Sequence, residues 1–279
     1  MAPTTEQRSA SDTIKAWLAE NGLPASLGDW AWPLVLQGLT TGEIYTQLRT
    51  QPEYVARYPA MAELARQGRA ISEAQYRNNE ELIANSAKQY GIPDGIYNTR
   101  AAVAQMFIND VSPAEVADRM RMAAGLVYSD PNIRQAFGAF YGTQGDGAAI
   151  AYLLDPKQNE PLLTQHYAAA QIAGNVMAQG LGGVSQSQAE MIALRTNPTE
   201  AQAQQAATQV GTQRDLYGSL YGETQAVNVG QGVSAALGAD STDVEAIDAQ
   251  KRRRAASYQG GGGLAAGQQG ISGLASAAQ

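Results

Sequence analysis

Few residues in this chain are of types that do chemistry, and their spacing limits what they could do. His166 is the one histidine, and it falls among Ala168, Ala169, Ala170 and Ala173 in a stretch with no formal charge between Glu160 and Glu190. One imidazole cannot build a His-rich metal site, and a nucleophilic triad needs partners that spacing does not supply, so it reads as a core or interface histidine. Asp94, Asp110, Asp118, Asp130, Asp146 and Asp155 stand mostly at the starts of apolar-periodic stretches, where free backbone amides and the helix dipole account for them. A carboxylate pair for glycoside hydrolysis could be drawn from that set, but no aromatic sugar platform lies near them, which makes a cell-wall hydrolase the weakest reading. Gly260–Gly263 is not a phosphate loop, since no strand precedes it and no Gly-Lys-Ser/Thr follows. Lys251, Arg252, Arg253 and Arg254 form the one basic run. It suits nucleic acid or anionic lipid, and equally a solvated helix end complementing the dipole. No catalytic, cofactor-binding or metal-ligating residue is assigned, and no cofactor is expected.

Composition narrows the class. The 279 residues are enough for one large domain or two small ones, and 44% hydrophobic content is enough for real cores. Charged residues are only 16%, three Phe are few for this length, and Ala, Gln and Gly fill the gap. Small uncharged residues allow close helix approach and suit surfaces that face other protein. A net charge of −7 argues against a broad nucleic-acid footprint, and the lack of cysteine removes disulfides, thiolate metal sites and redox chemistry. Neither a signal peptide nor a membrane-spanning helix is expected, because no basic region precedes an apolar run and no window of about 18 apolar residues occurs.

The elements that must position these residues are helices. Ser112-Pro113-Ala114-Glu115 reads as a capping box, followed by Val116, Met120, Ala123, Ala124 and Val127 on one stripe reaching about Tyr128. The same device recurs. Thr40–Glu43 and Ser72–Gln75 are capping boxes, the second opening a long helix to Tyr90 with Gly91 as its stop. Asp12 is read as the cap of a short helix closed by Asn21-Gly22, and Trp30, Trp32 and Pro33 as a small aromatic core clamp. Asn98 is read as the cap of a helix to Ile108. Pro131–Tyr141, Pro161 to about Met177, Ser185–Arg195 and Pro198 to about Tyr217 complete the main set.

The expected fold is therefore all-α, a multi-helix bundle of many short capped helices with arms at both ends. A flexible arm is expected over residues 1–10, a helical domain over 11–217 with a sub-boundary near 142–147, and a Gly/Ala-rich linker over 218–240. A C-terminal helix over 241–258 and a Gly-rich tail over 259–279 follow.

Several blocks carry a resemblance as a set. They are Pro52–Pro59 (PEYVARYP), Gly68–Tyr76 (GRAISEAQY), Gly91–Tyr97 (GIPDGIY) and Asn109–Arg119 (NDVSPAEVADR), then Leu153–Pro156 (LLDP), Ala170–Gly174 (AQIAG) and Arg253–Gly263 (RRAASYQGGGG). Their order and spacing, over roughly residues 40–275, resemble a family of tailed-bacteriophage virion proteins of the minor tail or internal virion type. The resemblance implies a non-enzymatic subunit of the tail, neck/connector or interior, assembled in the host bacterial cytoplasm. Its partners would be other virion proteins and copies of itself. An alternative is an internal ejection protein that meets the host envelope through the uncharged 161–188 stretch. Only that alternative involves a membrane, and nucleic acid would enter only through Lys251, Arg252, Arg253 and Arg254.

Overall fold

Capping chemistry sets where the helices begin. The computed structural model describes residues 3–94, 97, 99–217 and 227–260, with side chains up to 256. Among the described residues there are fifteen α-helices, α1–α15, and no named strand. They form two units, one of Met1–Gly125 with Ile150–Glu160 and one of Leu126–Ala149 with Pro161–Gln279. The chain passes between them inside α8 (Pro113–Tyr128), inside α10 (Asp146–Leu153) and at the start of α11 (Glu160–Ala178). The 142–147 loop lies within the second unit.

The first unit holds α1 (Thr5–Glu20), α2 (Ser26–Leu36), α3 (Thr41–Leu48), α4 (Pro52–Arg57), α5 (Met61–Arg66), α6 (Glu73–Tyr90) and α7 (Arg100–Ile108). Its core is threaded by edge-on aromatic contacts: Tyr58 meets Tyr76 at 5.2 Å and Tyr76 meets Phe107 at 4.8 Å between ring centroids. The Tyr58 hydroxyl donates to the Asn21 carbonyl at 2.8 Å, fastening the α1 terminus to α4. Thr40 with Glu43 and Ser72 with Gln75 form the expected capping boxes, and Gly91 stops α6 in the left-handed region at φ 64°. Pro113 opens α8 under Ser112, whose Oγ accepts from the Glu115 amide at 3.1 Å.

Three expectations change here. The arm over 1–10 is a helix from Thr5, because Thr4 and Gln7 make their own capping box and Ile14 and Leu18 bury the following face; Asp12 lies inside α1. The Trp30–Pro33 clamp is a helix, α2, that accommodates Pro33. It buries Leu27, Ala31 and Val35 at four-residue spacing and leaves both tryptophans partly exposed. The cap of α7 is Thr99, whose side chain accepts from the Ala102 amide; Asn98 lies outside the described residues.

The second unit holds α9 (Pro131–Tyr141), most of α11, α12 (Gln186–Thr196), α13 (Glu200–Thr212), α14 (Val229–Leu237) and α15 (Ser241–Gly260). Its core is mostly alanine and valine, with isoleucine: Ala169, Ile172, Val176, Ala189, Ile192, Ala193, Ala203, Ala207, Val210 and Val233. Backbones come close where side chains are this small. A Cβ on Gly174 would meet the Ile133 Cα at 2.4 Å, so α11 crosses α9 with no room for a methyl group.

The linker expected over 218–240 does not run through its second half, where residues 229–237 are helical. Asn228 and Gln231 form a capping box, Gly238 supplies the left-handed stop, and α14 packs on α12, α13 and α15. Its glycines look like linker in sequence, but they are contact points. A Cβ on Gly232 would meet the Tyr217 ring at 2.5 Å. Residues 218–226 and the tail from 261 lie outside the described residues, and α15 runs to Gly260, two residues past the expected end.

Candidate functional site

The histidine is placed by α11 and answered by α9 and α12. Its ring stacks on Tyr141 with centroids 4.2 Å apart and an interplanar angle of 22°. Nε2 lies 3.9 Å from the Glu190 carboxylate, which also accepts from the Tyr141 hydroxyl at 3.1 Å and from the Gln186 amide at 2.9 Å. Burial pushes the imidazole below its ordinary value, and Glu190 opposes that shift only in part. A neutral imidazole stacked flat on a phenol and set beside a carboxylate is a packing arrangement. The ring belongs to the helix interface, as its small-residue surroundings suggest.

The six aspartates do not converge. Asp130 caps α9 by accepting from the Asn132 amide at 2.8 Å, and Asp155 accepts from the Lys157 amide at 2.9 Å. Asp110 pairs with Arg69, Asp118 with Arg121 at 3.2 Å, and Asp146 faces Arg134 at 3.9 Å. Each of these five has a structural partner. Among the described residues no group of three or more His, Asp or Glu is arranged to hold a metal ion.

Two buried charge clusters in the first unit were not visible as such in sequence. Glu73, at the first turn of α6, accepts from Arg49 Nε and from the Tyr54 hydroxyl, both at 2.8 Å. Burial raises its pKa, but the bonds from Arg49, its own amide and Tyr54 outweigh this, so the carboxyl sits below its ordinary value. Arg119 is the larger case, at only 2% exposure. Its guanidinium donates to Glu115 at 2.6 Å and to the backbone carbonyls of Asp155 and Gln158 at 2.7 and 2.6 Å. The Glu115 carboxylate expected to close the capping box thus takes Arg119. The i,i+4 spacing of Glu115 and Arg119 was the readable signal, and the long-range carbonyl partners left none. Both clusters tie chain segments together.

Among the concave surfaces of the second unit, one draws in part of the basic run. A cleft of about 1090 Å³ is lined by Gly180–Gly183, by the caps Ser185 of α12 and Asn228 of α14, by Arg214 to Tyr217, and by Arg254 of α15. Tyr217 and Val227 pair there as an isolated parallel bridge. Arg214 gives one bond to the Gln179 carbonyl at 2.9 Å. The basic run therefore divides. Lys251, Arg252 and Arg253 are exposed, while Arg254 is only 7% exposed and faces the cleft. Two guanidinium groups line the cleft beside the positive ends of two helices, with Asp215 as the one carboxylate among its lining residues.

No protein-family model, no curated protein and no solved structure matches this chain.

Proposed function

We propose that this chain is a non-enzymatic structural subunit of a tailed-bacteriophage virion, in the tail, neck or interior, which assembles with its own copies and with other virion proteins. Beyond the resemblance of the sequence blocks, the supporting observation is an outward surface poor in charge on α12 and α13, with Arg195, exposed and paired with Asp240, as a charged exception on α12. From Ala201 to Thr212 α13 has no charged residue, and its exposed side is Gln202, Gln204, Gln205, Thr208 and Gln209. On α12 the exposed side carries Met191 and Leu194, the latter 71% exposed. Soluble surfaces ordinarily carry charges of both signs, and the centres of protein interfaces lose charge and gain methionine. The envelope-active alternative is not favoured by α11, whose Ala169, Ile172 and Val176 are occupied in the core of the second unit. Among the described residues no helix is long and apolar enough to cross a membrane. Light scattering of the full chain tests the proposal. A discrete oligomer of fixed stoichiometry supports it, and a monomer across the accessible concentration range removes self-assembly from it.

A further inference from the structure

We infer that the basic run of α15 and the cleft beside it form a docking surface for the phosphodiester backbone of nucleic acid. The chain is acidic as a whole, yet Arg214 and the run Lys251, Arg252, Arg253 and Arg254 come together where the Arg214 turn packs on α15. The helix dipole does not explain the run. Its influence falls off within the last turn, and the last turn of α15 holds no basic residue. Internal pairing does not explain it either. Lys251 lies 3.8 Å from Asp248, but no carboxylate of the described residues forms an ion pair with Arg252 or Arg253, and both are exposed.

Successive helix residues are turned by about 100°, so the cations are not confined to one flat stripe. Arg252 and Arg253 reach solvent while Arg254 is directed to a concave cleft that also receives Arg214. A membrane-surface helix has the opposite design, with an apolar face across from the basic one. In α15 the apolar Ile247 is buried within the unit, and among its described side chains Val244, 39% exposed, is the one large apolar group at the surface, too little for such a face. A flexible polyanion that follows the basic run into a cleft fits instead. Guanidinium groups bind phosphate oxygens in a fork, and the free amides at the α12 and α14 starts favour negative charge at the cleft wall. The inference is independent of the subunit reading, since a monomer would carry the same surface.

The test uses the full chain with a fluorescent oligothymidylate, read by anisotropy over a salt series. Binding is expected, weakening by about fifty-fold between roughly 50 mM and 200 mM salt, as neutralising four single-strand phosphates implies. The double variant Arg252→Ala with Arg253→Ala is expected to keep its helical circular dichroism and to lower the log–log salt slope by about 1.4. Arg214→Ala is expected to lower it by about 0.7. No binding at the lowest salt, or a double variant that binds with the parental affinity and slope, would overturn the inference. Capture by anionic phosphatidylserine vesicles that depends on Arg252 and Arg253, with no capture of the oligonucleotide, would overturn it in favour of a lipid surface.

Discussion

Arg119 shows how one side chain can hold a segment distant in sequence. It neutralises Glu115 on its own helix and uses its remaining donors on the carbonyls of Asp155 and Gln158, which stitches residues 150–160 into the first unit. Replacing it by Met keeps most of the volume and leaves two carbonyls and a carboxylate unpaired, so Arg119→Met should cost about 2–3 kcal/mol in chemical denaturation. A loss below about 0.5 kcal/mol, typical of a surface site, would contradict this assignment. His166 makes a prediction of opposite visibility. Its folded pKa is depressed below the ordinary 6.5, so above that value both folded and unfolded chains hold it neutral. As pH falls through 6.5 the unfolded state takes up a proton that the folded state resists, and stability drops until pH passes the lower folded value. His166→Leu should flatten thermal stability between about pH 7 and pH 5 relative to the parent. An unchanged acid-side slope in the variant would place the effect on other groups. The sequence exposed the identities here and not the partners: Tyr141 and Glu190 lie 25 and 24 residues from His166 and reach it only once α9, α11 and α12 have packed.

At the scale of elements, helix starts and stops were the most legible features, because a cap is chemistry between residues three apart. Thr40, Ser72, Ser112, Asp130 and Ser185 all cap as their spacing indicates, and Gly91 and Gly142 both stop helices in the left-handed region. The illegible elements were those whose residues have poor local propensity and gain helix from packing. α14 is one, since Gly230 and Gly232 lower its intrinsic stability while allowing Gln188 and Tyr217 to approach. α13 is the converse, a strong Ala/Gln helix whose weak stripe of Ala203, Ala207 and Val210 is sufficient because its neighbours are equally small. Two glycine substitutions separate packing from propensity. Gly174→Ala places a methyl group against the Ile133 backbone and should destabilise the second unit by about 1–3 kcal/mol. Gly42→Ala, in α3 with nothing within 4 Å of the added carbon, should stabilise by about 0.5–1 kcal/mol. Equal melting shifts for the two would show that α11 and α9 can part without cost.

For the whole molecule, the all-α class followed from periodicity, whereas the division into units did not, because residues 150–160 join the first unit through contacts that local pattern cannot anticipate. Residues 227–260 were also read as more separable than they are. α14 and α15 pack together, and α14 packs on α12 and α13, so ending the chain at residue 217 would remove Val233 from the core it shares with Val210, Ala207 and Ala189. Such a truncation should lose the cooperative melting of the second unit, which differential scanning calorimetry would detect. The central claim, that this chain assembles through uncharged outward faces, is tested most directly by sedimentation velocity on the parent chain beside Met191→Glu with Leu194→Glu. Both side chains are exposed, so the double variant should fold as the parent does. A discrete oligomer is expected for the parent and a monomer for the variant. An oligomer that survives both charges, or a parent that never leaves the monomer, would contradict it.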